Sequence, residues 1–261
     1  MKNALTIAAL DPSGGAGMLA DIKVFIAHEV YAMGVLTGTT AQNTKGIFGM
    51  EAISPKMVSD GIKAIFDDIR VDAIKIGAIP GAELIKTVAQ TLKSIENLPP
   101  VVLDPVMACK NGNIWLGDDA REAIVKYLFP LSTIITPNRF EAEEIVKFEI
   151  KTYEDAKKAC EKMVELGTKN VMLKFGDFEG ESLDIFYDGK EFLPLRHERI
   201  ESDDTHGSGC SLASAIAANL ANGKELQRAV SDAKDYVFDA IRKTFKVGEG
   251  CNPINHFYQF Y

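Results

Sequence analysis

The chain has 261 residues, 46% hydrophobic and 25% charged, with Lys+Arg 29 against Asp+Glu 37 and a net charge of -8. Such a composition is globular, and a chain of this length buries about 70–75% of the surface it exposes when unfolded, so one α/β domain over residues 1–261 needs no disulfide or metal staple. An acidic chain without a basic run disfavours DNA or RNA as a partner, and no stretch reaches the roughly 18 consecutive apolar residues of a membrane span.

Short β-branched runs alternate with amphipathic stretches of helical length, the pattern of a parallel sheet with crossover helices. The sequence predicts a buried strand over Ala4–Leu10, a helix over Met18–Glu29 after a glycine loop, and a strand over Tyr31–Gln42. A helix over Ser54–Ile69, a strand over Asp72–Gly77, a helix over Ala82–Ile95 and a strand over Val101–Met107 follow. Next come a helix over Asp118–Leu131, a strand over Thr133–Thr136, short helical pieces, a helix over Tyr153–Leu166 stopped by Gly167, and a strand over Asn170–Phe175. Ser182–Arg196 breaks the rhythm: two strands joined at Asp188-Gly189 imply an antiparallel edge. Helices over Cys210–Ala221 and Glu225–Phe245, separated by Asn222-Gly223, close the chain. No internal repeat or linker forces a domain boundary.

Cys109, Cys160, Cys210 and Cys251 are widely spaced, without a CxxC pair or a zinc-like histidine spacing, and the N-terminus lacks a signal-peptide pattern. Reduced thiols in a cytoplasmic protein are therefore expected.

In open α/β sheets ligands lie beyond the carboxyl ends of the strands, and the loops there are chemically rich. Gly15-x-Gly17-x-x-Ala20 meets a relaxed dinucleotide fingerprint, yet Leu36–Thr40 offers no acidic residue for a ribose. The loop instead suits backbone contact with a small ligand, with Asp21 placed either to accept its hydrogen bonds or only to balance the helix dipole. Thr205-His206-Gly207-Ser208-Gly209-Cys210 precedes a helix of small residues, so successive amides can converge on a phosphate at the positive helix end. No GxxxxGK[ST] occurs, which excludes a P-loop, and no GxSxG elbow supports acyl transfer. Cys210 sits inside this anion hole, where a helix end favours thiolate, and it reads either as a base or nucleophile or as a small packed side chain.

Taken together, DPSGGAG, TAQNT, KIG, VVLDPVM, ITPN with EAE, THGSGC and the helix carrying Lys234 resemble the hydroxymethylpyrimidine and phosphomethylpyrimidine kinases of thiamine biosynthesis over almost the whole chain. The resemblance implies a ribokinase-like three-layer sandwich: a mainly parallel central sheet, helices on both faces and a small antiparallel edge, usually in a homodimer. It implies two successive phosphorylations of a heteroaromatic alcohol by ATP and Mg²⁺, the hydroxymethyl oxygen first and the monophosphate second. By the same resemblance Gly207, Ser208, Gly209 and Cys210 form the catalytic anion hole, with Cys210 as proton acceptor. Asp104 and Glu141 organise Mg²⁺, and Asn138, Lys174, Thr205 and Lys234 contact the nucleotide. Gln42 reads the aminopyrimidine edge in a pocket shared with Ala9, Gly17, Asp21, Ala78 and Val106, while His206 shapes the loop.

The sequence departs from the family pattern around that pocket. Ala9-Leu10-Asp11 replaces a Gly-Ser-Asp or Gly-Thr-Asp, Ala78 replaces a methionine, and Lys174-Phe175-Gly176-Asp177 replaces Lys-Gly-Gly-His, placing a bulky ring toward the expected nucleotide side. Pyridoxal or pyridoxine kinase activity is the first alternative, and a nucleotide- or vitamin-binding regulator without turnover the second. Gln42 favours the pyrimidine, and intact Asp104, Lys174 and Cys210 favour an enzyme.

Overall fold

The computed structural model describes residues 1–107, 116–178 and 180–260, with the side chains of residues 177 and 178 left aside. Cys109 and the Asp177 side chain therefore lie outside the described part. In chain order the elements are β1 (Lys2–Leu10), α1 (Gly17–Ala27), β2 (Val30–Asn43), β3 (Gly46–Ala52), α2 (Pro55–Asp68), β4 (Ala73–Ile76), α3 (Ala82–Lys93), β5 (Val101–Leu103) and α4 (Asp118–Ala123). They continue with β6 (Ile134–Ile135), α5 (Arg139–Val146), α6 (Tyr153–Glu165), β7 (Val171–Phe178), β8 (Glu181–Tyr187), β9 (Phe192–Glu198), α7 (Ser208–Ala221) and α8 (Leu226–Arg242).

All these strands form one nine-stranded sheet in the order β3-β2-β1-β4-β5-β6-β7-β8-β9. The strands from β2 to β7 pair in parallel, and antiparallel ribbons close both ends: β3 on β2, and β8 and β9 beyond β7. Side chains alternate between two cores because strand residues point to opposite faces with period 2. Leu5, Ile7, Ile74, Ile76, Val101 and Leu103 pack against α2 to α6, whereas Ala4, Ala73, Val102, Ile134 and Met172 pack against α1, α7 and α8. The α7 helix is buried along nearly its whole length, which its run of alanines permits: small side chains let it lie close to the sheet and to α1 and α8. This is the three-layer architecture expected.

Local signals set several helix starts. Ser54 caps α2 with Pro55 in the first turn, and Thr152 with Asp155 forms a capping box at α6. The expected long helix over Asp118–Leu131 is instead α4 followed by a π turn (Ile124–Leu128) and a 3₁₀ turn (Phe129–Leu131), with Pro130 unable to continue the α-helical ladder. The β3 strand was not expected. Its sequence GIFGMEA has two glycines, and Phe48 is 70% exposed, so it carries no buried alternation to read.

The chain leaves β1 for β2 on one side, while β4, β5, β6 and β7 succeed one another on the other side. The carboxyl ends of β1 and β4 therefore flank a topological switch point, where open α/β sheets form their ligand crevice.

Candidate active site

Beyond β1 the chain turns on Asp11, whose carboxylate accepts from the Ser13 amide (2.8 Å), the Ser13 hydroxyl (2.9 Å) and the Ala16 amide (3.0 Å). The turn delivers Gly17 as the first residue of α1 with φ +57, and a Cβ there would lie 2.4 Å from the Ala9 carbonyl oxygen. Gly207, with φ +78, is tighter still: its Cβ would fall 1.7 Å from the Gly15 carbonyl oxygen. The two glycine loops thus meet backbone to backbone, a contact that requires glycine in both conformation and space. The Ala9 amide donates to the Ala78 carbonyl (3.0 Å) at a break in the β1–β2 register, so these two residues stand side by side at the crevice, with half-buried Val106 just after β5.

Cys210 lies in the first turn of α7, half-buried, and its sulfur accepts from the Gly17 backbone amide. The amino ends of α1 and α7 therefore converge on one sulfur. Burial nevertheless raises the Cys210 thiol to about 11; the Lys75 ammonium and the Gly17 amide oppose that rise, and Asp104 and Asp21 add to it. The expected thiolate is thus not the resting form of this cysteine, because loss of solvation outweighs the helix end.

Beneath Cys210 lies a fully buried polar cluster. Lys75 of β4 donates to both oxygens of Asp21 (2.8 and 2.9 Å), and Asp21 also accepts from the hydroxyls of Thr6 (2.6 Å) and Ser214 (2.7 Å). Burial alone would depress the Lys75 ammonium, but Asp21 more than reverses this and holds it above the ordinary lysine value. Asp21 was expected in the acceptor pocket. With zero exposure and four hydrogen bonds from three protein donors it has no lone pair left for a ligand, and it serves as the anchor of Lys75. Lys75 was missed as a site residue; the signal was a charge inside the otherwise apolar strand Ala73–Ile76.

A second charged group joins the carboxyl end of β5 to the middle of β7. Lys174 donates to Asp104 (3.1 Å), which also accepts from the Thr136 hydroxyl (3.2 Å). The Lys174 ammonium overhangs α7, lying 3.1 Å from where a Gly209 Cβ would stand. Asn138 and Glu141 form the capping box of α5, and Glu141 accepts from the amides of Asn138 (2.8 Å) and Met107 (3.2 Å). Burial pushes Glu141 up to about 7; the Lys174 ammonium lowers it and the Asp104 carboxylate raises it. Among the described residues no three His, Cys, Asp or Glu side chains are grouped to hold a metal. Two neighbouring carboxylates still fit Mg²⁺, which takes one or two from a protein and completes its shell with water and substrate phosphate.

Gln42, near the end of β2, lies beside Thr40 and His206, and His206 is 2.7 Å from Asp11. The amide of His206 donates to the Asn252 carbonyl and its carbonyl accepts from Ile254, so the C-terminal segment pins this loop. The Thr205 carbonyl accepts from the Ser208 amide at the entry to α7. Lys234 stands apart: it is buried and paired with Asp184 (2.5 Å) and Ser182 (3.1 Å), so its charge is spent within the fold rather than offered to a nucleotide. Phe175, expected near the nucleotide, turns into the larger core.

A family model described as phosphomethylpyrimidine kinase matches residues 11–255. The chain is 41% identical over 97% of its length to the thiamine biosynthesis bifunctional protein ThiED of Geobacter sulfurreducens, but spans only 51% of that longer protein. It is 37% identical to the hydroxymethylpyrimidine/phosphomethylpyrimidine kinase of Synechococcus elongatus, covering 99% of this chain and 98% of the relative. Among solved structures, the ADP complex of Bacillus subtilis pyridoxal kinase superposes with a TM-score of 0.90 at 35% identity, over 98% of this chain and 97% of that one.

Proposed function

The chain belongs to the phosphomethylpyrimidine kinase family, a family of phosphotransferases, and from that premise we propose that it transfers the terminal phosphate of ATP to the hydroxymethyl group of 4-amino-5-hydroxymethyl-2-methylpyrimidine and then to the resulting monophosphate. The observation that carries the proposal is the convergence of two helix amino ends on Cys210, with Lys174 overhanging the same turn.

Phosphoryl transfer passes through a loose, charge-rich transition state, so a protein contributes mainly alignment and charge compensation. The amides of Gly207, Gly209 and Cys210 at the positive end of α7 point positive charge at the transferring group, while the Ser208 amide, expected among them, closes the turn onto the Thr205 carbonyl. Lys174 neutralises phosphate oxygens from the facing side, with Asn138 and Thr205 at the same rim. Asp104 and Glu141 would hold Mg²⁺, directly or through water; bound there, it supplies Lewis-acid neutralisation of the phosphates. Ala9, Gly17, Ala78 and Val106 wall the acceptor side, and Gln42 faces the heterocycle's polar edge. The Cys210 sulfur takes a hydrogen bond from the acceptor hydroxyl and receives its proton as the new O–P bond forms, in the fraction of molecules where it is thiolate. A homodimer and a cytoplasmic location belong to the same reading; among the described residues no helix is long and apolar enough to cross a membrane.

The test is ADP release from ATP and Mg²⁺ with hydroxymethylpyrimidine, its monophosphate, pyridoxal and ribose supplied separately. Turnover of both pyrimidines supports the proposal. Turnover of ribose alone refutes it, and nucleotide binding without ADP release with any acceptor refutes an enzymatic role. The similarity to a pyridoxal kinase structure favours one second reading, which a clear preference for pyridoxal in this assay would establish.

A further inference from the structure

The ring nitrogen Nε2 of His206 has two polar neighbours, Asp11 Oδ2 at 2.7 Å and the Gln42 amide group at 3.4 Å. Asp11 is buried; the hydrogen bonds of His206 and Ser13 outweigh that burial and hold its carboxyl below the ordinary aspartate value, so it is ionised and accepts only. A nitrogen bonded to it must carry the proton, and an N–H cannot also accept from the nitrogen of Gln42. Only the oxygen of the Gln42 amide can face His206. Oxygen and nitrogen of an amide are assigned from the hydrogen-bond network, and here the rest of the network agrees. With the oxygen toward His206, the Gln42 NH₂ donates to the Thr40 hydroxyl (3.0 Å), which gives its own proton to the Leu10 carbonyl (3.2 Å). The Thr40 hydroxyl and the His206 N–H then each have an acceptor, and one Gln42 N–H is left over.

We infer that His206 is a positioning residue: its Nε2–H goes to Asp11 at 2.7 Å, and the positive edge of that N–H, 3.4 Å from the Gln42 amide, favours the amide oxygen on its side, which fixes which way round Gln42 faces the crevice and so the orientation in which an aminopyrimidine presents its hydroxymethyl group to Cys210. One N–H and one lone pair of Gln42 remain, a donor–acceptor pair complementary to a ring nitrogen beside an exocyclic amino group. An amide free to turn over offers that pair in two directions, of which only one aligns the alcohol. The ring of His206 packs closely on Gly15, where a Cβ would stand 2.3 Å from its Cδ2, and is tied to Asp11 at 2.7 Å. This inference rests on the pyrimidine reading above.

The test compares hydroxymethylpyrimidine with its analogue lacking the amino group, in the wild type and in His206→Phe, which keeps a ring but loses the donor. The wild type is expected to favour the amino compound, and in the variant its KM rises about tenfold with the KM for ATP unchanged, so the preference collapses. His206→Gln restores a donor and should recover much of the preference. Thr40→Val removes the amide's other anchor and should weaken the preference even if His206→Phe fails to fold. An unchanged preference in Thr40→Val and in a folded His206→Phe overturns the inference while leaving the pyrimidine reading intact. A wild type that turns over neither pyrimidine overturns both.

Discussion

Replacing Lys75 by methionine removes the cation from the buried cluster beneath Cys210 while keeping an unbranched side chain one atom shorter. Lys75 and Asp21 are both fully buried, and the pair is held by two contacts of 2.8 and 2.9 Å. In Lys75→Met the Asp21 carboxylate keeps only the hydroxyls of Thr6 and Ser214, two neutral donors for a full charge without solvent. Breaking a buried pair on one side costs about 3–5 kcal/mol, because the remaining charge stays desolvated. With a denaturant slope of about 2 kcal/mol per molar, the urea midpoint should fall by about 2 M at constant slope. Adding Asp21→Asn should restore part of the loss, since the second change removes the stranded charge, and the double variant should be more stable than the sum of the two single effects. Wild-type Cys210 should also react faster with an alkylating agent at pH 9 than Cys210 in Lys75→Met, because Lys75 favours its thiolate. A loss below about 1 kcal/mol, or strict additivity of the two substitutions, would refute the reading of Lys75 and Asp21 as a coupled buried pair.

Three further outcomes follow from the site. Gly207→Ala places a methyl against the Gly15 carbonyl in a left-handed backbone conformation, so the loops separate; kcat should fall at least a hundredfold, and a near-normal kcat would show that this close approach is dispensable. Lys174→Met should raise the KM for ATP at least tenfold and push the Glu141 carboxyl above about 7, because Lys174 is what lowers it; a carboxyl titration that stays in place contradicts the contact. In the free protein, Glu141 binds its proton more tightly folded than unfolded. Wild-type stability relative to Glu141→Gln should therefore fall as pH rises from about 4.5 to about 7 and level off above, where both states are ionised; a flat difference would contradict the raised value.

The sheet and its two helical layers were legible because buried parallel strands read as apolar runs and their crossovers as amphipathic helices. The β8–β9 hairpin was legible through Asp188-Gly189. What escaped was the exposed β3, whose glycines and lone Phe48 carry no pattern, and the break after α4, where Pro130 competes with an otherwise helical stretch. In the site, the glycine loops announced the positive helix end, and the resemblance supplied Asp104, Glu141 and Lys174. Single positions could not reveal who holds whom. Asp21 and Lys75 are 54 residues apart, and Asp184 and Lys234 50 apart; only the folded packing turns a presumed ligand contact into a buried ion pair. The thiolate expectation failed for the same reason, because the helix end is visible in sequence whereas the loss of solvent around the sulfur is not.

The most direct measurement is single-turnover phosphoryl transfer to hydroxymethylpyrimidine by Cys210→Ala alongside equilibrium ATP binding by the same protein. If the sulfur receives the acceptor's proton, the transfer rate falls by about 10²–10⁴-fold while the Kd for ATP stays within twofold. A variant that transfers phosphate at the wild-type rate would contradict the account.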